Sequence, residues 1–459
     1  MPQMPVLIIL AGGASSRMWP LREKSLLRFG TEPLLISQLR RYNALGFTDA
    51  IIVASPENAD AIRQFTDPMR PMNVQVVVQP QPRGMGDAIL QAAPVLTRPN
   101  APIYVVQVHD VVDDALHSAM LNAYVSNPSA SHIAAYQTDD YFPGGYLIVD
   151  ADGRITGMVE KPAPENRPSN FVTIVAHIHP SAALLMNAIR TEYSRDDDID
   201  TAPLVDPSGA PIPLPSPMST RDDHYERAMD VLMKDYLFKV MPYLGVWKAL
   251  KYPWHVLDVM NYFLSLIKGQ VVAESAYISP AATLIGDVYI GDGAKIFPGA
   301  SVVGPAYVGA GTIVGNNSLV RSSMVLNKCE VGFTTEIARS YVADGCAMHA
   351  CRVLDSVFAP SVNFSAGCTT ANLRIDHGYV SSTVKGQRLN SGRDKFGAII
   401  GQGAFLSVDV MTMPGVKIGE RAVVGPGTHV LHDVQNGQRV YVKQQLVITE
   451  ESTDENGSH

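Results

Sequence analysis

Residues 278–326 read ISPAATLIGDVYIGDGAKIFPGASVVGPAYVGAGTIVGNNSLVRSSMVL. An aliphatic side chain returns at every sixth position: Ile278, Leu284, Ile290, Ile296, Val302, Val308, Val314, Val320 and Leu326. A period of six is neither the 3.6 of a helix nor the 2 of an alternating strand. Hexapeptide repeats build a parallel β-helix of triangular coils, with the aliphatic residue inward and small residues at the tight corners. At three hexads per coil this stretch makes about three coils, stacked at the ~4.8 Å strand spacing. A second run follows at Ile400, Leu406, Thr412, Ile418, Val424 and Val430. Between Asn372 and Ala398 the hexads lapse, and the spacing predicts a loop that leaves the prism, a common place for function. The repeat alone specifies a scaffold, not a chemistry.

Upstream the pattern changes. Val6–Leu10, Ala50–Ala54, Val74–Val78 and Tyr104–Val108 are short apolar strands, and Pro33–Ala44 and Ala88–Val95 read as helices between them. Such alternation predicts an α/β domain with a mostly parallel sheet covered on both faces. His255–Lys268 has helical apolar spacing and stops at Gly269. The expected organisation is an α/β domain over 1–254, a connecting helix over 255–269, a β-helix over 270–446 and a disordered acidic tail over 447–459. The stretch from Thr201 to Thr220 holds six prolines and reads as an extended surface loop.

The chain has 459 residues, 46% hydrophobic and 17% charged, which is ample for packed cores. Its net charge is −8 with no basic run, against a nucleic-acid or anionic-membrane partner. Cys329, Cys346, Cys351 and Cys368 show no C-x-x-C spacing, against a disulfide framework or a zinc site. The opening MPQMPVLIIL lacks a basic n-region, and no 18-residue apolar run follows. The expectation is a cytoplasmic protein.

Directly after the first strand comes AGGASSRMWPLREK. Gly12, Gly13 and the serines offer backbone N–H groups that can cradle phosphates, and Arg17 and Lys24 add charge for a polyphosphate leaving group. This segment resembles the G-x-G-x-R…K signature of sugar-1-phosphate nucleotidyltransferases. With the hexapeptide half, the chain to about residue 446 resembles the bifunctional N-acetylglucosamine-1-phosphate uridyltransferase / glucosamine-1-phosphate N-acetyltransferase family, in its archaeal form. The resemblance implies a Rossmann-like nucleotidyltransferase domain followed by a left-handed β-helix. It implies a nucleoside triphosphate (UTP foremost) and a sugar 1-phosphate (that of N-acetylglucosamine foremost) as substrates, magnesium as cofactor, acetyl-CoA as co-substrate, and a homotrimer.

By that resemblance Arg17 and Lys24 are catalytic, and Gly12, Gly13, Ser15, Gln79 and Gly84 bind the nucleotide. Ser15 stands where the family has its second glycine. Asp110, ending a strand in VVQVHDVV, is the metal ligand; carboxylate oxygen suits Mg²⁺. Gly145, Glu160, Lys161 and Thr173 fall on the sugar-phosphate segments. The chain also departs from the pattern. His109 replaces a glycine, Leu147 another, and Thr173–His177 replaces N-x-G-x-Y. GVWKALKYPWHVLDVMN resembles W-x-x-x-x-x-P-W-D-L-L, but His255 replaces the Asp and Ala249 offers no second ligand.

On the prism, AMHACRV and the later asparagines match H-x-x-Y…N-x-G-A-G-T-x-x-x-N. The resemblance makes His349 the base for an amine attacking acetyl-CoA, a task suited to an imidazole at neutral pH. Asn363 and Asn372 match the asparagines, Arg352 occupies the tyrosine position, and Lys395 matches the archaeal G-R-x-K-x-G-A-I-I-G spacing. Two further readings stand beside a two-site enzyme. One is a nucleotidyltransferase whose prism is structural; the other is a non-catalytic regulator of the same architecture.

Overall fold

The computed structural model describes residues 2–13, 15–66, 72–195 and 223–449. The proline-rich stretch and residues 450–459 of the tail lie outside the described residues. Two compact units divide inside the helix His255–Ser265, at Phe263/Leu264.

The first unit is the expected α/β domain. Its strands are β1 (Val6–Leu10), β2 (Asp49–Ala54), β3 (Asn73–Val78), β4 (Ile103–Gln107), β5 (Asp110–Val112), β6 (Ser131–Gln137), β7 (Gly145–Val149), β8 (Ile155–Glu160), β9 (Phe171–His179), β10 (Phe238–Tyr243) and β11 (Trp247–Ala249). Nine of them form one mixed sheet whose main path runs β10-β6-β9-β4-β1-β2-β3. The half from β4 to β3 is parallel, and β9 runs antiparallel between β4 and β6. Ile8, Ile52 and Val105 have no exposed surface, because a parallel sheet is covered on both faces. The helix read over Ala88–Val95 instead spans Gly84–Gln91, followed by a 3₁₀ turn at Ala93–Val95. Gly84 enters that helix at φ 88°, the left-handed region open to glycine.

The second unit is a prism of three parallel sheets. Along one edge Ile290, Val308, Val325, Val342, Phe358, Ile400 and Ile418 stack in register, each with no exposed surface. One detail differs from the sequence reading. Val325 continues this column, not Leu326, so the hexad register slips by one residue. The two runs are one continuous prism, since Phe358 pairs with Ile400 across the excursion.

Buried serines explain the shortened coils. The Ser323, Ser340 and Ser356 hydroxyls donate to the carbonyls of Arg321, Ala338 and Leu354 two residues back. Each hydroxyl also accepts the N–H of the residue stacked above it: Ser340, Ser356 and Ala398. A corner that loses a residue keeps its backbone groups paired in this way. The excursion holds an antiparallel hairpin, Ser381–Val384 with Gln387–Asn390. All four cysteines are free thiols inside the prism.

Candidate active sites

In the α/β unit, the loop after β1 turns over the end of the sheet. Gly12 is buried against the Ala54 backbone, while Gly13 and Arg17 are exposed. Ser15 takes a left-handed φ of 46°, and its carbonyl accepts the Met18 N–H at 2.7 Å, closing the loop. Lys24 opens a short 3₁₀ turn that aims its Nζ back at Gly13. Burial pushes the Lys24 ammonium down to about 8; Arg17 and Lys251 act in the same direction, and Asp110 acts against them. Lys24, Arg17 and Asp110 thus share one field.

Asp110 begins β5, which pairs antiparallel with β11 so that Asp110 faces Ala249 and Val112 faces Trp247. The Trp247 indole N–H donates to Asp110 Oδ1 at 3.0 Å. Burial raises the Asp110 carboxyl; the Trp247 bond, Lys251, Lys24 and the Val175 N–H oppose it. Burial, with Lys24 and Lys251, holds the neighbouring His109 imidazole well below its ordinary value, so it stays neutral. Lys251 donates to Pro143 O at 3.2 Å and lies 4.1 Å over the Phe142 ring. The backbone N–H of Lys251 donates to His255 Nδ1 at 3.2 Å, so His255 caps the loop that carries this lysine. Lys251 and Trp247 were missed as functional residues, although the quoted segment contained both.

The residues that the resemblance puts on the sugar-phosphate segments also converge. Gly145 pairs with Glu160, and Thr173 lies beside them. A Cβ on Gly145 would stand 2.9 Å from Thr173 Cγ2 and 3.0 Å from Glu160 Oε2, so only glycine leaves both in place. Lys161 pairs with Glu160 at 2.7 Å. Thr173 Oγ1 bonds His177 Nε2 at 3.1 Å, and His177 Nδ1 bonds the Tyr225 hydroxyl at 2.8 Å. Leu147 has no exposed surface and belongs to the core with Ile133 and Ile155. Gln79 is buried, and its amide N–H groups go to Gly84 O at 3.1 Å and Asp87 Oδ2 at 2.8 Å. Its side chain therefore braces the helix start at Gly84.

A magnesium ion fits Asp110 as a single-carboxylate site, because Mg²⁺ commonly uses one or two carboxylates plus substrate phosphates and water. No group of three acidic, His or Cys side chains converges among the described residues.

On the prism, Ala347 pairs with half-buried Asn363, and exposed His349 follows that strand one residue past Met348, so the two lie on adjacent coils. The Ser365 hydroxyl donates to Asn363 Oδ1 at 3.0 Å. Gly332 lies under the His349 ring: a Cβ there would stand 2.8 Å from His349 Nδ1. Arg352 lies on the next face, between Glu336 and Thr369. Asn372 is farther on, its amide donating to Asp355 Oδ2 at 2.5 Å, and Asp355 is bidentate with Arg339 at 2.6 Å. Lys395 is exposed and bridges to Leu373 at the base of the excursion. The expected acetyl-transfer residues are thus spread along the coils: His349 follows the strand whose Ala347 pairs with Asn363, Arg352 opens the next strand, and Asn372 and Lys395 flank the excursion.

Comparison with known proteins matches residues 6–202 to the nucleotidyl transferase family and residues 287–322 to the bacterial transferase hexapeptide family (six repeats). A bifunctional sugar-1-phosphate nucleotidylyltransferase/acetyltransferase of Sulfurisphaera tokodaii is 29% identical over 446 residues, covering 94% of this chain and 98% of its own. The bifunctional protein GlmU of Methanococcus maripaludis is 27% identical, covering 96% and 98%. That of Methanococcus vannielii is 39% identical over 206 residues, covering 44% of this chain and 49% of its own. No helix among the described residues is long and apolar enough to cross a membrane.

Proposed function

Because this chain is similar to a bifunctional sugar-1-phosphate nucleotidylyltransferase/acetyltransferase over 94% of its length, we propose that it carries both activities on its two units. The α/β unit joins a nucleoside triphosphate, UTP foremost, to a sugar 1-phosphate, foremost that of N-acetylglucosamine. The prism acetylates an amino-sugar phosphate from acetyl-CoA. The observation that carries the first activity is half-buried Lys24, its Nζ turned to the Gly13 loop, in one field with Arg17 and Asp110.

In the first reaction a sugar-phosphate oxygen bonds to the α-phosphorus, the bond to the β-phosphate oxygen breaks, and pyrophosphate leaves. The nucleophile is already ionised, so no base is needed, and positioning with charge neutralisation carries the rate. Gly12, Gly13 and Ser15 offer backbone N–H groups to the triphosphate. Lys24 and Arg17 neutralise the charge that builds on pyrophosphate. Gly84 and Gln79 shape the nucleotide side, Gln79 by holding the helix start. Gly145, Glu160, Lys161 and Thr173 take the sugar phosphate. Asp110 would hold a magnesium ion that arrives with the triphosphate, and that ion supplies charge for the leaving group.

In the second reaction the neutral amine attacks the thioester carbon, the C–S bond breaks, and His349 accepts the amine proton. Asn363 lies on the adjacent coil. Arg352, Asn372 and Lys395 would act from a neighbouring subunit of a trimer. We assign the protein to the cytoplasm, with no nucleic acid or membrane as partner.

One assay set tests both halves. The purified protein is offered UTP or dTTP with a panel of sugar 1-phosphates, and separately acetyl-CoA with glucosamine 1-phosphate. Pyrophosphate and free CoA are measured. Lys24→Ala abolishes pyrophosphate release and spares CoA release; His349→Ala does the converse. No pyrophosphate with any pair would sink the first activity. CoA release unchanged in His349→Ala would remove the base. No CoA release from the wild type would favour the reading in which the prism is structural.

A further inference from the structure

Lys251 occupies a place that none of the assigned residues explains. It lies two residues beyond Ala249, which faces Asp110 across the β5–β11 pair and offers no oxygen. Its ammonium is held by Pro143 O at 3.2 Å and by the Phe142 ring at 4.1 Å. The Phe142 ring packs 4.6 Å from Trp247, the residue that holds Asp110. Its backbone is tied by His255 on one side, and Leu250 N–H donates to His109 O at 2.9 Å on the other. A lysine free on the surface would carry its head into water; the head of this one rests on the Pro143 carbonyl and the Phe142 ring.

Its electrostatic neighbours belong to both halves of the site. Asp110 and Arg17 lie on the triphosphate side, Glu160 and Lys161 on the sugar-phosphate side. Lys24 and His109 feel Lys251 in turn. It is therefore a cation where the two phosphate-bearing substrates would meet, set beside Asp110, the carboxylate proposed to hold a metal. Two anions must approach there, and a fixed positive charge in a recessed site lowers the cost of that approach.

We propose that Lys251 is a catalytic residue of nucleotidyl transfer: its ammonium contacts the sugar phosphate and the α-phosphate as they join, supplying beside Asp110 the positive charge for which Ala249 provides no second metal ligand. The step is the one already described, with one P–O bond formed, one broken and pyrophosphate released. Lys251 adds charge and position and transfers no proton. This rests on the nucleotidyltransferase reading of the α/β unit.

The test compares Lys251→Met and Lys251→Arg with the wild type in pyrophosphate release from UTP and N-acetylglucosamine 1-phosphate, and from dTTP and glucose 1-phosphate. Removing one preorganised charge donor costs about 10²–10³ in kcat. K251M is expected to lose about 100-fold or more in kcat and to raise KM for the sugar phosphate more than KM for the nucleotide. K251R keeps the charge and is expected to hold at least about a tenth of the wild-type rate. Should K251M lose its thermal midpoint, K251Q, which can still donate to Pro143 O, supplies the uncharged comparison. An uncharged variant within about threefold of wild type in kcat and in both KM values would overturn the proposal while leaving the activity established. A wild type that releases no pyrophosphate from any pair would overturn the parent reading, and this one with it.

Discussion

The Trp247 indole donates to Asp110 Oδ1 at 3.0 Å, tying the start of β5 to β11, 137 residues later in the chain. That bond favours the ionised carboxylate, while burial opposes it. One indole thus helps keep the proposed metal ligand charged.

Trp247→Phe keeps the ring packing and deletes the donor. A hydrogen bond to a charged group contributes about 1.5–3 kcal/mol, so kcat for pyrophosphate release should fall about 10- to 100-fold. Steady-state kinetics at saturating substrate check this. A variant at wild-type rate would show that Asp110 needs no such support.

Gly145→Ala should separate the two substrates kinetically. The new Cβ would press on Thr173 Cγ2 at 2.9 Å and Glu160 Oε2 at 3.0 Å, displacing both from the proposed sugar-phosphate position. We expect KM for the sugar 1-phosphate to rise about tenfold, one 1.4 kcal/mol step, with KM for the nucleotide unchanged. Equal rises in both KM values would mean that Gly145 serves the fold rather than the sugar side.

Phe364→Ala should destabilise the prism. Phe364 has no exposed surface and meets Phe358 edge-on at 5.2 Å, filling the shortened coils. Truncating such a side chain costs about 3–5 kcal/mol. Coils in a solenoid contact only their neighbours, so the unfolding transition of the prism should move to lower temperature while that of the α/β unit stays. A scanning calorimetry trace with both transitions unmoved would contradict this packing.

Acid should weaken the α/β unit before acidic groups titrate. Burial pushes His117, His177 and His179 down to about 3. The first bonds Tyr104 and the other two bond Tyr225. The folded values lie below the ordinary 6.5, so the unfolded chain binds more protons between about 3 and 6.5. Stability is full above that window and is lost as pH falls through it. Each histidine removes about 1 kcal/mol by pH 5.5. Urea midpoints at pH 7.5 and 5.5 measure the loss, and His177→Gln with His179→Gln should flatten it. A midpoint independent of pH across this range would mean that these histidines are protonated in the folded chain.

The prism was legible from Ile278 to Val320 because a period of six leaves no other solution, and β1 with its glycine loop was legible for the same local reason. The slip to Val325 was not, since it depends on Ser323 hydroxyls pairing with a coil that stacks above. Lys24 and Arg17 could be named from their spacing after a strand; Lys251 could not. Its meaning arises only when β11 lies against β5 and brings Ala249 opposite Asp110. Where the residues expected for acetyl transfer fall on the coils was equally hidden, because a matching offset in the chain does not say on which face of a triangular coil a side chain emerges. Local periodicity decided the architecture of both units. Which charges share a site was decided by strand pairing and coil register, which join residues far apart in the chain.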